Sequence, residues 1–240
     1  MAKRLRILGI VMIVLGVVFA FAGVFAFTQV QAGSDSLQAF SVAQNVTLSY
    51  DEEGNLTDRG SAEAGAEILR FVEEEWGYPI NDAEMDPNDP LVNTASEYMY
   101  QMGVIGHHTI YADQTVVLTE AAEYNGETFE AGEHTIFVRT VGERGDLGGY
   151  WTDFDRMHPI EGPARSQAWS GTVHGLFGEL GVGAVTANML TLSTGIAAMI
   201  FGLGLTLAAL GGGLIWIGAA KDDDDVVVEA HDPKPEPATV

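Results

Sequence analysis

The chain contains no cysteine. That excludes disulfide scaffolds, thiolate zinc sites, iron–sulfur clusters and thiol catalysis. Positive charge is also scarce: 11 Lys and Arg stand against 34 Asp and Glu over 240 residues, a formal net charge of −23. Nucleic acid is not expected as a partner, because phosphate binding needs clustered Lys and Arg. Lysine occurs only at Lys3, Lys221 and Lys234, so the long middle of the chain has none. The common catalytic signatures are missing too. There is no Walker A loop, no G-x-G-x-x-G, no H-E-x-x-H and no G-x-S-x-G. No cofactor is expected on these grounds.

Hydrophobic residues make up 47% of the chain, and the mean hydropathy is +0.12 despite the acidity. Charge and apolar residues must therefore be segregated. Ile7 to Phe27 form a run without a charged side chain, preceded by Lys3, Arg4 and Arg6. Roughly 20 apolar residues at 1.5 Å rise span a hydrocarbon core. The flanking cations place the N-terminus in the cytoplasm by the positive-inside rule. No charge lies between Glu179 and Lys221, and the most apolar part, Gly195 to Ala219, is the second span. Val30-Gln31-Ala32 has the small residues of a signal-peptidase site, but the preceding apolar run exceeds the 7–15 residues of a signal peptide. An uncleaved anchor is the favoured reading.

Four segments follow. Residues 1–28 form a cytoplasmic N-terminus and first membrane helix. Residues 29–187 form an extracytoplasmic acidic domain. Residues 188–220 carry the second membrane helix, and 221–240 a disordered, acidic, proline-rich cytoplasmic tail. The expected location is the plasma membrane, with both termini inside and the lipid bilayer as first partner.

Gly9, Gly16 and Gly23 recur every seven residues, as do Gly204, Gly211 and Gly218. A seven-residue period holds a residue on one helix face. Small residues there let two membrane helices approach closely. In an antiparallel hairpin, depth matches Gly9 with Gly218, Gly16 with Gly211 and Gly23 with Gly204. The same faces could instead join two copies of the chain.

The middle segment reads as α+β. Alternation predicts a strand over 41–50 and a turn at Asp51 to Asn55. A helix over 61–76 places Ala62, Ala66, Leu69, Val72 and Trp76 on one face. Asp89-Pro90 suggests the start of a helix over 91–102, with Tyr98, Met99 and Met102 inward. Strands over 115–122 and 135–141 flank Asn125-Gly126, a dipeptide favoured in type I′ hairpins. Residues 150–165 read as irregular, and a last helix begins near Ser166 and leads into the second span.

Three weak chemical signals remain. His107, His108, His134 and His158, with so many carboxylates nearby, could ligate a metal. Adjacent His107 and His108 diverge by about 100° on a helix, so their spacing makes no ligand pair. Asp82-x-Glu84-x-Asp86-x-Asn88 alternates oxygen ligands like a calcium loop, but Pro87 occupies the position where such a loop needs glycine. Tyr150, Trp151, Phe154 and Arg156 form an aromatic segment suited to a partner surface. Asn45-Val46-Thr47 and Asn55-Leu56-Thr57 match the weak glycosylation triplet.

The opening Arg4-Leu5-Arg6-Ile7-Leu8-Gly9, the stretches Ala62-Glu63-Ala64-Gly65-Ala66 and Asp86 to Ser96, and the final Phe201-Gly202-Leu203-Gly204-Leu205 resemble small two-span membrane proteins of actinobacteria. Automated labels often name these aromatic ring-opening dioxygenases. A non-heme iron oxygenase needs two histidines and a carboxylate on one face. No spacing here provides them, so the resemblance implies no catalytic residue. The function expected is a non-enzymatic envelope protein, an accessory or scaffold that recruits another membrane protein or a second copy. The alternative is a tethered exported enzyme or metal-binding protein.

Overall fold

The computed structural model describes residues 2–136 and 154–229, with 221–229 described by backbone alone. The chain is mostly helical, with two long apolar helices and two small antiparallel strand pairs. It divides into two compact units, Met1–Asp35 with Met189–Val240, and Ser36–Asn188.

The first unit consists of the N-terminal part of α1 (Ala2–Gln44) and the C-terminal part of α5 (Gly171–Glu229). Both helices are long and apolar enough to cross a membrane. They run antiparallel in contact along the heptad face. A Cβ at Gly16 would stand 2.6 Å from the Gly204 carbonyl oxygen and 2.7 Å from the Ala208 amide nitrogen. A Cβ at Gly9 would stand 2.5 Å from the Gly211 carbonyl oxygen. Only glycine allows backbones this close. The buried stripe continues beyond the glycines, through Ala2 and Val30 on α1 and Ala197 on α5. Arg6 Nη2 donates to the Gly218 carbonyl oxygen at 3.2 Å near one end.

The register differs from the depth-matched one. Gly9 meets Gly211 rather than Gly218, Gly16 meets Gly204 rather than Gly211, and Gly23 meets Phe201 rather than Gly204. Gly218 packs on Ala2 and Arg6. The physical reason is interleaving. Gly16 sits between Gly204 and Ala208, and Gly204 between Gly16 and Ala20. Each bare Cα seats on a carbonyl and an amide one turn apart, which staggers the glycines instead of aligning them. The helix α5 also continues through Glu229, so 222–229 are helical in backbone where composition predicts a disordered tail; 230–240 lie outside the described residues.

The second unit is built around α3 (Ala95–Thr109), whose Tyr98 and Tyr100 are fully buried with Leu48, Ile68, Val92, Leu180 and Ala184. Burying each such side chain contributes on the order of 1.5–3 kcal/mol. The start of α3 is a capping box: Thr94 Oγ1 accepts from the Glu97 amide, and Glu97 accepts from the Thr94 amide at 2.9 Å. Thr94-x-x-Glu97 therefore displaces the start expected at Asp89-Pro90, and the helix runs on past Met102 to Thr109. The expected strand over 41–50 is also corrected. Residues 41–44 finish α1, held by a Ser41 Oγ donation to the Leu37 carbonyl and closed by Asn45 at φ 53°. Only single bridges remain there, Thr47 with Leu91 and Tyr50 with Leu56.

Helix α2 (Ala62–Arg70) continues as a π-helical turn, Phe71–Glu75. Its buried stripe is Gly65, Ile68, Phe71 and Val72. Of the expected face, Val72 is buried, Ala62, Leu69 and Trp76 are half-buried and Ala66 is exposed; the stripe turns toward Gly65, where a Cβ would collide with the Leu56 carbonyl and backbone packs on backbone. Strand β1 (Gln114–Leu118) pairs with β4 (Gly132–Ile136), and β2 (Ala122–Tyr124) with β3 (Glu127–Phe129), all antiparallel. Asn125 at φ 49° and Gly126 at φ 84° make the tight turn between β2 and β3, as a type I′ hairpin requires. Residues 137–141 of the expected second strand lie outside the described residues. Helix α4 (Glu161–Ala168) forms within the stretch expected to be irregular. The chain then re-enters a helix at Gly171, where Ser170 Oγ accepts from the Val173 amide.

Replacing Gly16 with Leu should destabilise the helix pair by about 2 kcal/mol or more, since overpacking a tight contact costs 1–3 kcal/mol. Gly202 is the control, because a Cβ there would meet nothing within 4 Å. Thermal unfolding in detergent should drop for Gly16→Leu and stay unchanged for Gly202→Leu.

Candidate functional site

The aromatic side chains of the second unit gather where the π turn, the end of α3 and the start of α5 meet. The π turn delivers two of them. Its wider ring lets the Trp76 amide donate to the Phe71 carbonyl at 3.3 Å, which brings Phe71 and Trp76 to a ring-centroid separation of 4.9 Å. π turns occur often at functional sites. On α3, Gly103 lies against Val72, and a Cβ at Gly106 would stand 3.1 Å from the Trp76 ring and 3.5 Å from Phe177. The two glycines make the floor on which the turn rests. Tyr111 stacks edge-on against Phe71 at 4.6 Å, Phe177 against Trp76 at 6.1 Å, and Trp169 against Phe177 at 5.4 Å.

A cavity of about 260 Å³ opens in this cluster, lined by Trp76, Met99, Met102, Ile110, Tyr111 and Phe177. A second, polar hollow of about 160 Å³ is lined by Phe71 with Glu67, Arg70, Glu74, Glu75 and His107. Helical periodicity alone marks Met99, Met102 and Trp76 as inward residues of two helices. It does not mark the π turn, which no sequence period announces.

The histidines are dispersed. His107 and His108 both lie in the last turn of α3, with rings 5.2 Å apart. His107 faces Phe71, while His108 Nε2 lies 2.8 Å from Asp58 Oδ2 and ties α3 to the loop before α2. His134 Nε2 donates to the Glu130 carbonyl at 2.8 Å across the β3–β4 turn. His158 Nδ1 accepts from the Ile160 and Glu161 amides at the start of α4, and its ring packs on Tyr124 and Phe129. Among the described residues, no group of three or more His, Asp and Glu is placed to hold a metal ion.

The acidic loop has internal partners. Asp82 and Glu84 form a short 3₁₀ turn, and a Glu84 carboxylate oxygen accepts from the Ser96 amide at 2.9 Å, at the head of α3. Asp86 accepts from the Asn88 backbone and side-chain amides. In the aromatic segment, Tyr150 and Trp151 lie outside the described residues. Phe154 is 5% exposed and belongs to a core with Val116, Ile160 and Ala164, so it is not available as a partner surface. Arg156 is exposed. Its carbonyl oxygen lies where a Cβ on Gly162 would clash, at 2.5 Å.

Glu97 is the buried carboxylate on which α3, and with it the cavity, depends. Burial pushes its pKa above the ordinary glutamate value, outweighing the hydrogen bonds from Asn93 and Thr94 that pull it down. A carboxyl with a raised folded-state pKa stabilises the fold below its unfolded value and loses that contribution as pH rises through the folded one. The stability of wild type minus that of Glu97→Gln should therefore increase as pH is lowered from neutrality toward the ordinary glutamate range. Paired thermal melts across that window check it; a flat difference would contradict the assignment. Compared with protein-family models, with characterised proteins and with solved structures, the chain matches none.

Proposed function

We propose that the chain is a two-pass protein of the plasma membrane, with both termini cytoplasmic and residues 29–187 outside. We propose further that it serves as a non-enzymatic accessory or scaffold that recruits another membrane protein. One observation supports the membrane reading above the rest. The helix pair buries only a narrow small-residue stripe and leaves its large apolar side chains outward, Phe21 at 72% and Trp216 at 77% exposure. A soluble helix pair would bury such residues, whereas lipid covers them at no cost. Lys3, Arg4 and Arg6 before the first span and Lys221 after the second favour the inside for both ends.

The accessory role is favoured by how the polar groups of the second unit are used. Glu84, Glu97, His134 and His158 hold turns and helix starts. The order of spans and central motifs is also that of the two-span actinobacterial proteins the sequence resembles. Purification from native membranes in a gentle detergent should recover a stoichiometric membrane partner by mass spectrometry. A lone chain carrying about one equivalent of transition metal would overturn the reading in favour of a tethered metalloprotein. Protease added outside intact cells should cleave between residues 29 and 187 and leave both ends protected.

A further inference from the structure

We infer that the cavity beneath Trp76 is a binding site for a small organic cation of the quaternary-ammonium class, a choline-like headgroup. Three aromatic residues from separate elements line it: Trp76 after the π turn, Tyr111 after α3 and Phe177 on α5. Trp76 and Phe177 stand at 69° to each other, and Phe71 supports Tyr111 and Trp76 from behind. Aromatic rings set at steep angles around a small space attract a methylated cation through their quadrupoles. Met99 and Met102 add polarizable sulfur to the same wall.

Other ligand classes fit less well. No basic side chain lines the cavity among the described residues, so an anion has no counter-charge. The only side-chain oxygen in the lining is the Tyr111 hydroxyl. A metal cation or a primary ammonium would lose its hydration shell without replacement. A quaternary ammonium has no N–H to satisfy and carries its charge behind methyl groups. The surrounding charge is also of the right sign. Glu73, Glu74 and Glu75 lead directly into Trp76 and are exposed, and the chain as a whole carries −23. The volume of about 260 Å³ lies below the ~300–1,000 Å³ of sites for drug-sized ligands, which limits the occupant to a headgroup. This inference stands apart from the accessory role, since the site is complete within one unit of the chain.

The test uses the full-length protein in a maltoside detergent. Calorimetric titration compares choline chloride with its dimethylbutanol isostere, in which a neutral carbon replaces the charged nitrogen. Choline should bind about tenfold more tightly, about 1.4 kcal/mol, within the range of a cation–π contribution. Peroxide oxidation of Met99 and Met102, read by peptide mass spectrometry, gives an independent footprint. Protection by free choline identifies a soluble ligand. Protection only in phosphatidylcholine nanodiscs, and not in phosphatidylglycerol ones, identifies a lipid headgroup as the source. Trp76→Leu should abolish binding and protection, with Trp76→Phe retaining part of both. Free choline that binds no more tightly than a neutral isostere that also binds, or no protection by either form of the headgroup, would overturn the inference, and neither result depends on a variant folding.

Discussion

Backbone-to-backbone approach between α1 and α5 is the constraint on which the first unit rests. In lipid, two apolar helices gain nothing from hydrophobic burial against each other, and close packing must hold them together. Glycine supplies that closeness by removing the side chain at the contact. The cost is the backbone freedom glycine loses on ordering, and it falls on a few heptad positions while the flanking Leu, Val and Phe point away from the pair. The result is a pair that is close along one stripe and apolar everywhere else.

The same economy recurs in the second unit. Gly65 lies on the Leu56 carbonyl, Gly103 under Val72 and Gly183 on the Tyr98 ring. Around Tyr98 the polar ends are also satisfied: its hydroxyl meets Ser41 Oγ at 2.9 Å and Gln44 Oε1 at 3.1 Å. Buried hydroxyls left unpaired would cost about 1–3 kcal/mol each. Small residues set how near the elements come, and large aromatics fill what is left. The cavity beneath Trp76 is the place where that filling is incomplete.

Much of this was legible in the sequence, for reasons that can be named. The two apolar helices follow from composition, and the heptad glycines from spacing alone. Asn125-Gly126 specifies its turn because few other pairs accept positive φ twice. What was not legible depends on partners distant in sequence. The glycine register could not be read by matching depths, since seating on a carbonyl one turn away is a property of the pair. The buried face of α2 depends on Leu56, which no helical wheel contains. The start of α3 was written as Thr94-x-x-Glu97 but was masked by the equally good Asp89-Pro90. Phe154 reads as an exposed aromatic among acids until β1 and α4 are seen to enclose it. The cavity was the least legible feature: periodicity marks Trp76, Met99 and Met102 as inward, but the π turn that brings Trp76 against Phe71 and the cavity has no sequence period of its own.

The staggered glycine seam is the central structural claim, and the absence of native cysteine makes it directly accessible. Two double variants suffice, at seam positions that already carry a Cβ: Ile13→Cys with Ala208→Cys, and Ile13→Cys with Ile215→Cys. Both are oxidised in native membranes and scored for intramolecular disulfide, which requires Cα atoms within about 7 Å. A staggered seam predicts rapid cross-linking of the 13/208 pair within one chain and little for 13/215. Preferential cross-linking of 13/215, or cross-links only between two chains, would contradict it.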